Sequence, residues 1–188
     1  RRNAYFGVDF AINMLVEFKS GPLFNEGMCL SIADANELPF ANNMFDICFS
    51  FSSLYYCEDL SSVLKEISRV LSDDGIAVIE LSTKNNINAY VSNYWALNAN
   101  WAFPFFVSYD SMIRDINNIG FEIIEERSFQ LLPILRGPWW SIFIANSFLK
   151  PFLKIKIKGK SLDEYISSNQ LLKKYAFKHF VVLSKKRD

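Results

Sequence analysis

Two aspartates that close short apolar runs are the residues best placed to do chemistry in this chain. Tyr5-Phe6-Gly7-Val8 ends on Asp9, and Met28 to Ala33 ends on Asp34, which tiny Ala35 follows. An acid at the carboxyl end of a buried strand sits where open α/β sheets bind their ligands. One carboxylate there can accept two hydrogen bonds from the cis-diol of a ribose, or bonds from an amine. A small next residue lets a flat ring approach the backbone. Asp9 also fits a helix N-terminal acid favoured by the macrodipole, so by itself it points to an adenosine-type ligand rather than to a reaction. After Asp34 come a tight Leu38-Pro39-Phe40 corner, a polar turn at Asn42-Asn43, and Phe45-Asp46 opening a third apolar run.

The segment Asp34-Ala35-Asn36-Glu37-Leu38-Pro39-Phe40, with Phe45-Asp46, resembles the adenine-binding segment of class I S-adenosylmethionine (SAM) dependent methyltransferases, in the group that methylates small molecules, lipids and sugars. Leu64-Lys65-Glu66, Arg69-Val70-Leu71 and Gly75 match a second pattern of the same family. The resemblance covers about residues 5–129 and 176–186. It implies a Rossmann-like α/β three-layer sandwich, with a mostly parallel sheet and a C-terminal antiparallel strand. It implies SAM as cofactor, held by Asp9 and Phe10 at the ribose, Asp34 and Ala35 at the adenine, and the strand end Ser50-Phe51 at the amino group. The family's Gly-x-Gly-x-Gly loop, however, has no counterpart among the seven glycines. With Arg1-Arg2 in place of an initiating Met, the expectation is an N-terminally truncated fragment without the first strand, which binds SAM weakly or not at all.

The elements that must position these residues follow from periodicity. Tyr5 to Asp9 reads as a strand, Ala11 to Lys19 as a helix stopped by Gly21-Pro22, and Met28 to Asp34 and Phe45 to Ser52 as strands too apolar to alternate. Asp59 or Ser61 caps a helix carrying Val63, Leu64, Ile67, Val70 and Leu71. Ser72-Asp73-Asp74-Gly75 ends that helix before a strand over Ile76 to Leu81. Ser108 opens a helix through Ile119, Gly120 ends it, and Phe121 to Arg127 alternates as a strand. His179 to Leu183 is the last strand, the antiparallel one of the resemblance.

At 188 residues with 51% hydrophobic and 21% charged content, the chain is one globular domain. Zero net charge argues against general nucleic-acid binding, although residues 1–100 hold 6 Lys/Arg against 12 Asp/Glu and residues 101–188 hold 14 against 8. Cys29, Cys48 and Cys57 form no Cys-x-x-Cys pair, and with a single histidine, His179, no metal constellation is expected. Cys29 and Cys48 fall in apolar runs and read as buried free thiols of a cytoplasmic protein. His179 reads as structural. Tyr55, Tyr56 and Glu58 follow the third strand and are the candidate catalytic residues, though packing and helix-start roles serve them equally.

Residues 130–175 form an insertion between the last two strands, with Trp139-Trp140, Ile142, Phe143, Phe148 and Phe152. From Arg136 to Lys160 it carries six basic residues and no acid. It reads as a helical cap over the substrate pocket; the sharper reading is peripheral contact with anionic lipid or a lipid-linked substrate. The apolar stretch from Gly137 to Leu149 is too short to span a bilayer. The favoured function is methyl transfer to a small-molecule, sugar or lipid acceptor. The alternatives are a non-catalytic remnant or partner subunit, a lipid-surface module, and an NAD-dependent dehydrogenase.

Overall fold

A computed structural model describes residues 4–98, 102–132, 151, 155–157 and 159–186. The chain begins with β1 (Tyr5–Asp9), α1 (Ile12–Ser20) and β2 (Met28–Ile32). β1 and β2 pair in parallel as a sheet of two strands, with Asp9 opposite Ile32. β3 (Phe45–Ser50), α2 (Leu60–Val70) and β4 (Leu71–Ser82) follow, then α3 (Ile87–Asn98), α4 (Tyr109–Asn118) and β5 (Phe121–Phe129). The chain closes with a hairpin of β6 (Lys156–Ile157) and β7 (Lys160–Ser161), then α5 (Leu162–Ser167) and β8 (Lys178–Lys185). The larger sheet has the order β3-β4-β8-β5, with β3 parallel to β4 and β8 antiparallel to both neighbours. The expected C-terminal antiparallel strand is therefore present, inserted between β4 and β5.

The core lies where α2 and α4 cover one face of this larger sheet. α2 is strongly amphipathic, and its buried face is Leu60, Val63, Leu64, Ile67 and Val70. Leu60, Val63, Leu64 and Ile67 pack with Ala77, Ile79 and Leu81 of β4, Val181 and Leu183 of β8, and Met112 and Ile116 of α4. Each large aliphatic side chain fully buried here contributes on the order of 1.5–3 kcal/mol. Asp59 caps α2, its carboxylate accepting from Ser62 N at 3.1 Å, and Ser108 caps α4 by accepting from Ser111 N at 3.1 Å. Gly120, at φ +91°, turns the chain from α4 into β5 in a backbone conformation that side-chained residues rarely adopt.

Several expectations change. Ser72 to Gly75 is not a turn: β4 leaves α2 directly, and the pairing of β3 with β4 skips from Phe45–Leu71 to Ile47–Ile76, so the extra polar residues are absorbed as an irregularity. α3 was not expected, because its buried residues are Asn88, Ala89 and Ala96 while Tyr90, Tyr94 and Leu97 are exposed, which leaves no apolar stripe to read. The thiol of Cys29 is exposed and that of Cys48 half-buried; all three cysteines are free. The reason is the break in the sheet. β1 and β2 lie outside the larger sheet, and none of their residues is fully buried, so the two-sided burial expected of their apolar sequences is missing. Of the insertion, Trp139, Trp140, Ile142, Phe143, Phe148 and Phe152 lie outside the described residues. The described part comprises the β6–β7 hairpin, α5 and a short 3-10 turn at Lys173–Tyr175. No helix among the described residues is long and apolar enough to cross a membrane.

His179 belongs to a buried polar node, consistent with a structural role. Its side chain is completely buried; Nδ1 lies 3.2 Å from Glu126 Oε1 and 3.1 Å from Ser128 Oγ, and Nε2 lies 3.2 Å from Ala176 O. Glu126 Oε2 also accepts from Lys173 Nζ at 2.8 Å and Tyr109 OH at 3.0 Å. Burial opposes ionisation of Glu126, but hydrogen bonds from His179 and Lys173, together with their charge, outweigh it and hold the carboxyl down to about 2. Because the folded value is depressed, the stabilisation is complete above the ordinary value of 4.5 and is lost as pH falls towards 2. Urea midpoints measured against pH should show about 3 kcal/mol of acid-limb loss, and Glu126→Gln should remove most of that slope. An unchanged slope in the variant would assign the acid sensitivity elsewhere.

Candidate nucleoside-binding site

The sequence places Asp9 and Asp34 at successive strand ends, and the parallel pairing of β1 with β2 makes those ends neighbours. Ala33 N donates to Asp9 O at 3.2 Å, so the chain is still hydrogen-bonded across as it leaves β2. Asp9 Oδ1 accepts from Ala11 N at 2.8 Å, which fixes the carboxylate at the start of α1. Asp34 Oδ1 accepts from both Asn36 N at 2.8 Å and Asn36 Nδ2 at 2.9 Å. These bonds tie down one oxygen of each carboxylate and leave Oδ2 of each able to accept from a ligand. Ala35 and Ser50 line a shared cleft, whereas Phe10 projects outward, 78% exposed, and Phe51 stacks on Phe180 with ring centroids 5.3 Å apart.

That cleft, of about 230 Å³, lies where the two sheets fail to meet. Gly7 and Val8 of β1 form one wall, Cys48 and Phe49 of β3 the other, and no strand ladder joins them. The rings of Phe6 and Phe45 lie 5.5 Å apart, and those of Tyr5 and Phe49 5.9 Å. The walls are largely apolar.

The corner after Asp34 is held by α2. Arg69 Nη2 donates to Leu38 O at 2.9 Å, and Nη1 donates to Phe40 O at 2.7 Å and Asn42 Oδ1 at 2.9 Å. Glu66 accepts from Leu38 N at 2.8 Å and is paired with Arg69 through two bonds of 2.8 Å. The hydrogen bonds from Arg69 hold the Glu66 carboxyl below its usual value. The two sequence patterns singled out above are thus halves of one device: Glu66 and Arg69 read the backbone of Leu38-Pro39-Phe40.

The candidate catalytic residues separate. Tyr55 and Tyr56 line a second cavity, of about 290 Å³, together with Glu80, Lys178, Trp95 and Phe106. Glu58 is exposed and does not line it. Burial pushes the Tyr55 phenol up to about 12, with the Tyr56 hydroxyl and the Glu80 charge adding to the effect. Glu80 and Lys178 were missed. The signal was a lone acid inside Ile76-Ala77-Val78-Ile79-Glu80-Leu81 and a lysine opening the last strand, two charges that only the β4–β8 pairing brings together. Among the described residues no group of His, Cys, Asp and Glu could hold a metal ion.

A parallel strand pair ending in two acids with open oxygens, beside an alanine, is the arrangement expected where Rossmann-like sheets bind their ligands. A family model described as a methyltransferase domain matches residues 1–79. Solved structures of similar fold include a SAM-dependent methyltransferase from Mesorhizobium loti, at a TM-score of 0.63 and 16% identity, covering 96% of this chain and 80% of that one. Residues 1–79 are thus similar to a methyltransferase domain, and the fold of the chain is that of solved SAM-dependent methyltransferases. A ubiquinone/menaquinone biosynthesis C-methyltransferase of Desulfotalea psychrophila is 39% identical over 92 residues, 47% of this chain and 37% of that protein. A malonyl-[acyl-carrier protein] O-methyltransferase of Buchnera aphidicola is 26% identical over 185 residues, 98% of this chain and 64% of that protein. The chain thus spans less than two thirds of the length of either relative.

Arg69→Ala would release the corner and leave Glu66 without its partner. Loss of these charge-assisted hydrogen bonds should lower the midpoint of urea denaturation. Arg69→Lys should recover only a minor part, since an ammonium cannot fork across two carbonyls.

Proposed function

We propose that this chain provides the adenosine-binding half of a methyltransferase that transfers a methyl group from SAM to a small-molecule, sugar or lipid acceptor. The observation that carries this reading is the pair of strand-end carboxylates, Asp9 and Asp34, each with one oxygen fixed and one left open, beside Ala35. Asp9 takes the ribose diol, with Phe10 beside it; Asp34 and Ala35 receive the adenine, and the backbone at Ser50-Phe51 holds the amino group. When bound, SAM supplies an electrophilic methyl on a sulfonium. The protein's part is alignment of the acceptor with that methyl, which contributes on the order of 7–11 kcal/mol in well-oriented systems. The names of the two relatives, a quinone-pathway C-methyltransferase and a carrier-protein O-methyltransferase, support a small or carrier-linked acceptor. Peripheral lipid contact through residues 136–160 fits their run of basic residues.

A non-catalytic, adenosine-binding partner is the second reading, favoured by the position of Tyr55, Tyr56 and Glu58, none of which lines the cleft beside Ala35. Both readings require the same site and differ in how the methionine half is gripped. Calorimetry with SAM, S-adenosylhomocysteine and adenosine tests this. With only the adenosine half held, all three should bind this chain weakly and within a few-fold of one another. Asp9→Ala and Asp34→Ala should each weaken binding at least tenfold. Failure of all three ligands to bind, or indifference to both substitutions, would remove the nucleoside assignment.

A further inference from the structure

The second cavity has a chemical character that the nucleoside site does not explain. It opens beside Ser52, two residues beyond the strand end Ser50, between α3 and the carboxyl ends of β3 and β4. Its walls carry the aromatic rings of Tyr55, Tyr56, Trp95, Phe106 and Phe177. Within it lies an ion pair between Lys178 and Glu80, with side chains only 11% and 13% exposed. Lys178 Nζ also stands 4.5 Å from the centroid of the Tyr55 ring. Ser52 Oγ donates to Glu80 Oε1 at 3.0 Å, the same oxygen that Lys178 engages, so Oε2 has no partner among the described residues.

The walls are fixed rather than loose. Thr83 Oγ1 donates to Ala176 O at 2.6 Å and Thr83 N to Phe177 O at 2.9 Å, which holds the entry to β8. Asn88 Nδ2 donates to Gln130 O at 3.0 Å and Leu132 O at 3.1 Å, while Asp163 accepts from the backbone N–H groups of Gln130 and Leu132. A volume of about 290 Å³ equals the share of about ten waters in the liquid, room for one or two fused rings.

We propose that this cavity is the acceptor site, and that it takes a planar aromatic ring bearing a neutral hydroxyl. Flat walls favour a flat ring, since offset and edge-to-face contacts add to burial. The charges select the substituent. A carboxylate would meet Glu80, an ammonium would meet Lys178, and either would disturb a pair already neutralised in a poorly solvated place. A hydroxyl suits both, donating to Glu80 Oε2 and accepting from Lys178 Nζ. Held in this way its proton is shared with a carboxylate while an ammonium steadies the oxygen, as a phenol needs before it acts as a nucleophile. Only the word acceptor rests on the methyltransferase reading; the binding does not.

The test uses the 188-residue chain and three probes of one shape: 2-naphthol, 2-naphthoate and 2-naphthylmethylammonium. Binding is followed by quenching of Trp95 fluorescence, with Trp95→Phe as the control that loses the signal. 2-Naphthol should bind saturably and at least tenfold more tightly than the two ions. Glu80→Gln should turn preference towards naphthoate, and Lys178→Met towards the ammonium. Because these are ratios between ligands on one protein, they survive partial destabilisation of a variant. If either buried substitution prevents folding, Tyr56→Ala, at a half-exposed position, should weaken all three probes together. No saturable binding by folded wild type, equal affinity for the three probes, or preferences unmoved in both charge variants would each overturn the proposal. Naphthol binding in a chain indifferent to adenosine would remove the methyltransferase reading and leave this one; adenosine binding without naphthol binding would do the reverse.

Discussion

The structure depends on how one arginine ties two sheets together. No backbone ladder joins β1–β2 to β3-β4-β8-β5, so the segment between β2 and β3 has to be held from outside. Arg69 and Glu66 hold it by reading the carbonyls of Leu38 and Phe40 and the N–H of Leu38. Backbone bonds from Asn43 N to Arg69 O and Met44 N to Val70 O continue the same seam. A guanidinium serves here because its planar fork meets two carbonyls and a carboxylate at once. The corner it fixes leads directly from Asp34 and Ala35, so Arg69 on α2 sets the path of the chain as it leaves the two acids.

β8 shows a second economy. Alternation along a strand sends Lys178 and His179 to opposite faces. On one face Lys178 meets Glu80 and the aromatic cavity; on the other His179 meets Glu126 beneath Tyr109 of α4. Both acids are largely buried, and removing one partner from such a pair is more damaging than never having had it. The Glu126 node is closed, with both oxygens engaged. The Glu80 pair uses a single oxygen and faces the second cavity, the difference on which the proposed acceptor site rests.

Much of this was legible in the residues, and the limits have physical causes. Strong periodicity placed α2 and α4, because burial of one helix face leaves a fixed spacing, and the two apolar runs placed Asp9 and Asp34 at successive strand ends. The family resemblance supplied the late antiparallel strand. α3 escaped notice because it exposes its large side chains, which no periodicity argument expects. Cys29 was misjudged because an apolar strand reads as buried only if a complete sheet surrounds it. Glu80 and Lys178 stand 98 positions apart in sequence, and only strand pairing makes them neighbours. Glu58 drew attention by proximity to the third strand, yet it is exposed, which is the ordinary fate of an acid at a helix start.

The break between the sheets bears on cooperativity. The smaller unit has no fully buried residue in β1, β2 or α1, while the larger unit encloses the core. Units that differ so much in burial are expected to open at different free energies, as separate foldons. Asp9 and Asp34 both belong to the weaker one. On the proposed reading, nucleoside affinity is multiplied by the fraction of time that unit is closed, and a bound nucleoside would act in turn as the clasp that keeps it folded.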